Sequence, residues 1–194
     1  MSRIARMTRT TRETTVDLSL DLDGEGSAKV ETGVGFFDHL LTSLATHALF
    51  DLKVRTEGDL HIDDHHTIED TALVLGSGLS EALGDRSGIT RFGDARVPMD
   101  EALAEATVDI SGRPYTVIDL RLTAPRIGTM TTQNLPHALE AFARTAGLTM
   151  HLRSAGKNDH HVAEAAVKAL ARALRAAVAV DPRRSGIPSS KGSL

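Results

Sequence analysis

Apolar residues recur along the chain with two different periods, which divide it into predicted strands and helices. Strict alternation of apolar and polar residues, the pattern of a half-buried strand, is seen in VDLSLDL at residues 16–22. Three further segments are also predicted to be extended: SAKVET (27–32), DLKVRTEG (51–58) and DLHID (59–63). In FFDHLLTSLATHALF, residues 36–50, the period lengthens to that of a helix.

A second helix is predicted to begin after Asp63 and Asp64, which are good N-cap residues, and to end near Gly84. Its predicted apolar face consists of Ile68, Ala72, Leu75, Leu79 and Leu83.

The second half of the chain repeats this order of elements. Its predicted elements are the strands EATVDISG (105–112), PYTVIDLRL (114–122) and LTMHLRS (148–154) and the helices QNLPHALEAFARTAG (133–147) and NDHHVAEAAVKALARALRAAV (158–178), the last capped by Asn158 or Asp159. Marker residues keep the same order in both halves: Glu13 with Glu105, His39 with His137, and His65-His66-x-x-Glu69 with His160-His161-x-x-Glu164. Three matches in one order indicate an internal duplication.

The predicted fold class is therefore α+β, with a duplicated unit in which a mixed β-sheet carries helices on one face. The predicted division is a first half at 1–92, a second half at 93–181 and a flexible tail at 182–194. That tail, DPRRSGIPSSKGSL from Asp181 onward, is polar, basic and rich in Gly, Pro and Ser.

Composition excludes several classes of function. The net charge of −4 gives no field that would favour nucleic acid or an anionic membrane, and the aromatic content of 3% is too low for base-stacking surfaces. The basic opening, residues 1–12, lacks the apolar core of a signal peptide, so a cytoplasmic protein with a frayed N-terminus is expected. Because the chain has no cysteine, any bound metal must be held by nitrogen and oxygen.

The paired histidines are the strongest candidates for such a site. On a helix, neighbouring histidines such as His65 and His66 diverge by about 100° around the axis, so they chelate one ion poorly but can reach two different ions. The candidate ligands are His39, His65, His66, Glu69, His137, His160, His161 and Glu164. This inventory divides into two sites, each with three imidazoles and one carboxylate, which would leave two positions of an octahedral ion open. Helix-capping or surface histidines are the alternative interpretation.

Other polar residues are candidates for proton transfer and anion binding. Lys168 lies four residues after Glu164, whereas Leu73 holds the equivalent place in the first half. Lys168 is either an ordinary surface partner of Glu164 or an ammonium group that relays a proton beside a metal. The side chains that commonly bind phosphate are found at Arg91, Arg113, Ser189 and Lys191. The alternative is that these residues are ordinary solvated surface residues, which is more common.

Taken together, these motifs resemble the imidazoleglycerol-phosphate dehydratases of histidine biosynthesis over nearly the whole chain. The resemblance is carried by RETTVDL, TGVGFFDHLL, GDLHIDDHHTIEDTALVLG, RFGDARVPMDEALA, DISGRP, NDHHVAEAAVKALARAL and the terminal IPSSKGSL. It implies a fold similar to domain 2 of ribosomal protein S5. It also implies a cubic particle of twenty-four subunits, with two manganese ions (Mn²⁺) per subunit at subunit interfaces. The eight candidate ligands match the family's metal ligands. Glu13 and Lys168 match its catalytic residues, and the anion-binding candidates match its phosphate-binding positions.

The implied reaction removes water from imidazole glycerol phosphate and gives imidazole acetol phosphate. The carbon that loses a proton has no neighbouring carbonyl, so the imidazole ring must relay the electrons. Metal ions on both ring nitrogens would favour an imidazolate that expels the hydroxyl through a diazafulvene. A dinuclear metal phosphatase or amidohydrolase is a second interpretation, and a non-catalytic metal cage is a third. The second would usually bring a bridging carboxylate and several metal-binding aspartates, whereas this sequence shows mostly histidine. The third would not need Glu13, Lys168 or the anion-binding set.

Overall fold

The structure, a computed structural model, describes residues 3–194, which fold into two halves with the same order of elements. In the first half the elements are β1 (Ile4–Thr10), β2 (Thr14–Asp21), β3 (Ala28–Glu31), α1 (Gly35–Ala48), β4 (Asp51–Gly58) and α2 (His65–Leu83). In the second half they are β5 (Phe92–Met99), β6 (Ala102–Asp109), β7 (Tyr115–Leu120), β8 (Arg126–Ile127), β9 (Met130–Thr131), α3 (Asn134–Ala146), β10 (Thr149–Ala155) and α4 (Asp159–Val178).

Each half contains a four-stranded mixed sheet with the same topology. The strand orders are β1-β2-β4-β3 and β5-β6-β10-β7. The last pair in each sheet is parallel, and the other pairs are antiparallel. The duplicated α+β unit predicted from the sequence is thus confirmed. The short hairpin β8–β9 is an insertion before α3 in the second half.

The four helices lie between the two sheets and pack across the boundary of the halves. Helix α2 packs on α3 and α1 packs on α4, while α2 also covers β1 and β2 and α4 covers β5 and β6. The apolar face predicted for α2 is buried, with Ile68 and Leu79 at 0% and 1% exposure. Because the helices pair across the halves, helix ends from different halves come together.

Two predictions about the first half are wrong. The basic opening that was expected to be frayed forms β1, which pairs with β2 along its whole length and buries Ala5. Conversely, DLHID is a turn rather than a strand, since the amide of Ile62 donates to the carbonyl of Asp59 at 2.7 Å. The alternation that indicated a strand there does not correspond to a buried face, because Leu60 and Ile62 are 40% and 64% exposed.

Within residues 3–194, none of the helices combines the length and apolar character that crossing a membrane requires. The division into 1–92, 93–181 and a flexible tail at 182–194 stays a prediction, although the first strand of the second sheet begins at Phe92.

The crossing of α2 and α3 depends on Gly76, because a Cβ added there would overlap Thr145 Oγ1 and the carbonyl of Phe142. We expect Gly76→Ala to destabilise the fold by about 1–3 kcal/mol, the usual cost of overpacking, and to lower the thermal midpoint measured by circular dichroism. Gly35→Ala is the matched control, since a Cβ at Gly35 would meet no atom within 4 Å. Equal midpoints for the two variants would show that the crossing is looser than described.

Candidate metal centre

One cluster of candidate ligands forms where the N-terminal ends of α1 and α4 meet. His39 lies at the start of the second turn of α1, and His160 and Glu164 lie in the first two turns of α4. His39 Nε2 is 3.0 Å from Glu164 Oε2, and His160 Nε2 is 3.1 Å from the same oxygen. We refer to these three residues as cluster A.

A second cluster, B, forms in the same way where α2 and α3 begin. His65 Nε2 lies 3.5 Å from Glu69 Oε2, and His137 Nε2 lies 3.3 Å from Glu69 Oε1. Each cluster therefore takes its carboxylate and one histidine from one half of the chain and its second histidine from the other half. Neither half alone can build either cluster.

Equivalent polar caps fix the starts of the two ligand-bearing helices. Asp63 Oδ1 accepts the amide N–H of His65 at 2.8 Å, and Asn158 Oδ1 accepts that of His160 at 3.0 Å. Of the predicted alternatives, Asn158 rather than Asp159 caps α4. Satisfying these otherwise unpaired N–H groups orients the first helical turn, and with it the first histidine of each pair.

The donor set and spacing of both clusters fit a divalent transition metal. The ligand atoms within each cluster lie within 4.8 Å of one another, which is compatible with one ion at bond lengths of about 2.0–2.2 Å from each. Within residues 3–194, His137 Nε2 is buried and forms no hydrogen bond, although Glu69 Oε1 lies 3.3 Å away, which leaves this nitrogen available to a metal. Burial raises the pKa of Glu164, but the Lys168 ammonium and the His39 ring outweigh burial and lower it to about 2. Glu164 is therefore an anionic ligand at neutral pH.

The second histidine of each pair points away from both clusters. His66 Nδ1 is 2.9 Å from Asp59 Oδ2, and His161 Nδ1 is 2.8 Å from Glu101 Oε2. These hydrogen bonds raise the pKa of both histidines, and the bond from His161 contributes most to lowering the pKa of Glu101 to about 2. With Nδ1 bonded to a carboxylate, Nε2 is the nitrogen left to contact other groups.

The two clusters carry different cations. Lys168 Nζ lies 2.8 Å from Glu164 Oε1 in cluster A, and Arg144 Nη2 lies 3.7 Å from Glu69 Oε1 in cluster B. Arg144 was missed from the sequence. It follows His137 by seven residues on α3, about two helical turns, so helical periodicity could have placed it on the ligand face.

Glu13 and the anion-binding candidates lie outside the clusters. Glu13 is in the turn between β1 and β2, where Oε1 is 3.8 Å from His66 Nε2. Arg91 forms a two-point ion pair with Asp109, at 2.6 and 3.0 Å, and Arg91 Nη1 donates to the carbonyl of Pro188 in the tail at 2.9 Å.

The end of the tail returns to the second sheet beside another candidate. Leu194 packs against Gly112, the residue before Arg113. In the tail itself, the Lys191 amide donates to Ser189 Oγ at 3.2 Å. A cleft of about 300 Å³ is lined by Pro114, which follows Arg113, by Tyr115, by His137 of cluster B and by Arg144.

Comparison with known proteins agrees with this geometry. The sequence model of the family described as imidazoleglycerol-phosphate dehydratase matches residues 32–174. The chain belongs to this family. Among curated members, the imidazoleglycerol-phosphate dehydratases of Acidiphilium cryptum and Thermobifida fusca are 58% and 57% identical over the full length of both chains.

Solved structures of the family have the same fold. The Staphylococcus aureus imidazoleglycerol-phosphate dehydratase superposes with a TM-score of 0.83 at 36% identity, covering 92% of this chain and 99% of that one. The Pyrococcus furiosus enzyme superposes with a TM-score of 0.84 at 34% identity, covering 97% and 100%. The chain is accordingly a dehydratase, a carbon–oxygen lyase.

Within this dehydratase fold, six of the eight predicted ligands meet in clusters A and B, each with two imidazoles rather than the predicted three. His66 and His161 are the two that stand apart. The functional role of each predicted residue stays a prediction.

The composition of cluster A predicts the effect of removing one ligand. His39→Ala should reduce the divalent metal bound per chain by about half, because only cluster A loses an imidazole. The measurement is elemental analysis after equilibration with metal and desalting. His151→Ala is the control, since His151 is exposed on β10. Full metal content in His39→Ala, or a comparable loss in His151→Ala, would contradict the assignment.

Proposed function

We propose that the chain removes water from imidazole glycerol phosphate and gives imidazole acetol phosphate in histidine biosynthesis, with two Mn²⁺ ions per subunit. The observation that carries the proposal is the pair of clusters A and B. They are related by the duplication, and each combines two imidazoles with one carboxylate in a chain of the dehydratase family. Two equivalent metal sites match a substrate ring with two nitrogens.

The third imidazole of each site is proposed to come from another copy of the chain. His66 and His161 have their Nδ1 atoms bonded to carboxylates, and their Nε2 atoms lie 3.8 Å from Glu13 and 3.9 Å from Asp100. Contact between copies would bring these nitrogens to a neighbour's clusters. This supports active sites at subunit interfaces and, with the family resemblance, the particle of twenty-four. The cytoplasmic location and the lack of a nucleic-acid partner stay predictions of the sequence.

The reaction removes a proton from a carbon that has no neighbouring carbonyl. The imidazole ring must therefore relay the electrons of the broken C–H bond. Divalent ions held by clusters A and B would supply Lewis acidity at the ring nitrogens, which would favour loss of the hydroxyl. Loss of the proton from the adjacent carbon then gives the enol, which becomes the ketone. The balance is one substrate converted to one ketone and one water.

Two residues of this chain are proposed to move protons. Glu13 would accept the proton from carbon, because its carboxylate is 53% exposed on a turn and stands apart from the ligand carboxylates. Lys168 would donate a proton at the leaving oxygen or the ring. Its contact with Glu164 at 2.8 Å keeps the ammonium beside cluster A.

The phosphate is proposed to bind Arg91, Arg113, Ser189 and Lys191. Supporting this, Arg91 uses three N–H groups on Asp109 and Pro188, which leaves two of the five donors of a guanidinium. The same contact holds the tail next to Arg91, and Leu194 lies beside the backbone that precedes Arg113. Closure of the tail over a bound phosphate would exclude water from the site.

Metal restoration tests this function directly. Protein stripped with chelator should have no measurable dehydratase activity, and Mn²⁺ should restore formation of imidazole acetol phosphate from imidazole glycerol phosphate. The ketone is followed by its absorbance in alkali, and free phosphate is assayed in parallel. Release of phosphate without ketone would instead indicate a metal phosphatase, and binding of Mn²⁺ without either product would indicate a metal cage.

Particle size tests the origin of the third imidazole. In the presence of Mn²⁺, the His66→Ala,His161→Ala double variant should sediment as a much smaller species than the unmodified chain, because no copy could complete a neighbour's site. His61→Ala is the control, since His61 is exposed in the same loop region but faces neither cluster nor carboxylate partner. An unchanged sedimentation coefficient for the double variant would refute the shared sites.

A further inference from the structure

Asp70 is a buried carboxylate that neither the metal clusters nor the anion-binding set uses. It follows the ligand Glu69 on α2 and is 7% exposed. Arg9 Nη1 of β1 lies 2.6 Å from Asp70 Oδ1, and Thr14 Oγ1 of β2 donates to Asp70 Oδ2. A buried charge is costly unless it is paired and hydrogen-bonded, so these three residues form one unit.

This unit anchors the turn that carries Glu13. Thr11 Oγ1 accepts the amide N–H groups of Glu13 at 3.1 Å and of Thr14 at 3.0 Å. The Thr11 amide in turn donates to the carbonyl of Thr14 at 2.8 Å. The backbone of Glu13 is thereby fixed relative to Thr14, and Thr14 is fixed relative to α2 through Asp70.

The second half of the chain folds to the same topology without this unit. By strand register and helix alignment the equivalents are Gly93 for Arg9, Ala106 for Thr14 and Ala165 for Asp70. All three polar groups are replaced together. At Gly93 the backbone of α4 approaches so closely that a Cβ would overlap the carbonyl of Ala173. The fold therefore does not require the polar unit.

The glutamates of the two halves differ accordingly. Glu105, the equivalent of Glu13, lies within β6 and pairs with Arg96 at 2.8 Å. Glu13 instead stands on the turn, where its Oε1 lies 3.8 Å from His66 Nε2. The buried unit of Arg9, Thr14 and Asp70 is therefore found in the half whose glutamate is not paired with an arginine.

We propose that Asp70, through Thr14, is a positioning residue for Glu13. It links the helix that supplies Glu69 and His65 to the turn that supplies the proton-accepting carboxylate, so the metal site and the base keep a fixed separation. This inference rests on the proposed role of Glu13. Such positioning matters because a displacement of about 1 Å in a catalytic group can cost on the order of 100-fold in rate.

The test compares two substitutions of similar size at Thr14. Thr14→Val removes the hydroxyl and should lower kcat by at least about tenfold, with KM and Mn²⁺ content unchanged, because Glu13 acts on the proton and not on binding. Thr14→Ser keeps the hydroxyl and should retain most of kcat. Asp70→Ala, which places the residue of the second half at this position, removes the acceptor at the other end of the bond and should reproduce the kcat loss. Thr8→Val is the control, since its hydroxyl bonds the exposed Asp17 at 2.6 Å on the other face of the sheet.

A direct measurement of the turn provides a readout besides activity. Hydrogen exchange of the peptide containing the Glu13 and Thr14 amides should be faster in Thr14→Val than in Thr14→Ser, while peptides of α2 beyond its first turns keep their protection. Uniformly faster exchange throughout the first half, with kcat loss tracking thermal midpoint, would show a general loss of stability and overturn the proposal.

A double-mutant cycle separates this inference from the function it rests on. Glu13→Gln should reduce turnover by at least about 1000-fold with metal retained, and Thr14→Val added to it should cause no further loss. If Glu13→Gln is impaired but Thr14→Val is fully active, or if the two losses multiply, the positioning role alone is wrong. If Glu13→Gln is fully active, the catalytic role of Glu13 and the positioning role both fail.

Discussion

The arrangement of the two clusters depends on one coordination constraint: a divalent ion needs several nitrogen and oxygen ligands around it, and one helix end supplies only some of them. A single helix turn here offers one histidine and one carboxylate that can face the same point, as His160 and Glu164 do. The next ligand must come from a different helix. Packing α1 on α4 and α2 on α3 meets this need twice, because each pairing brings a histidine from the opposite half to the carboxylate. The duplicated halves are consequently interdependent.

Duplication produces two similar sites, but elimination of water has a direction, and the direction must come from residues that the halves do not share. Lys168 has Leu73 as its equivalent, and Asp70 has Ala165. The first places an ammonium at cluster A, and the second holds the turn of Glu13. The groups that break the symmetry are thus confined to positions next to the ligands, where a substitution changes the chemistry and leaves the shared topology intact.

Periodicity and the paired motifs predicted much of this structure, whereas contacts between distant elements were missed. The duplication, the α+β class and the helices α2 and α4 follow from periodicity and from the paired motifs. The ligand pairing across halves could not be derived, because it depends on which helices pack together and not on spacing along the chain. Strand β1 was missed because its arginines masked the alternation of Ala5 and Met7. Asp59 and Glu101 were missed because they are not related by the duplication: Asp59 reaches His66 from the loop before α2, whereas Glu101 reaches His161 from the turn between β5 and β6.

Each metal site is proposed to combine both halves of one chain and to be completed by a second copy. Anomalous diffraction from crystals of the Mn²⁺-loaded protein, collected on both sides of the manganese absorption edge, tests it most directly. Two peaks per chain are expected. One would lie among His39, His160 and Glu164 and the other among His65, Glu69 and His137, each also contacted by His66 or His161 of a neighbouring copy. A single peak per chain, or peaks ligated wholly within one copy, would contradict it.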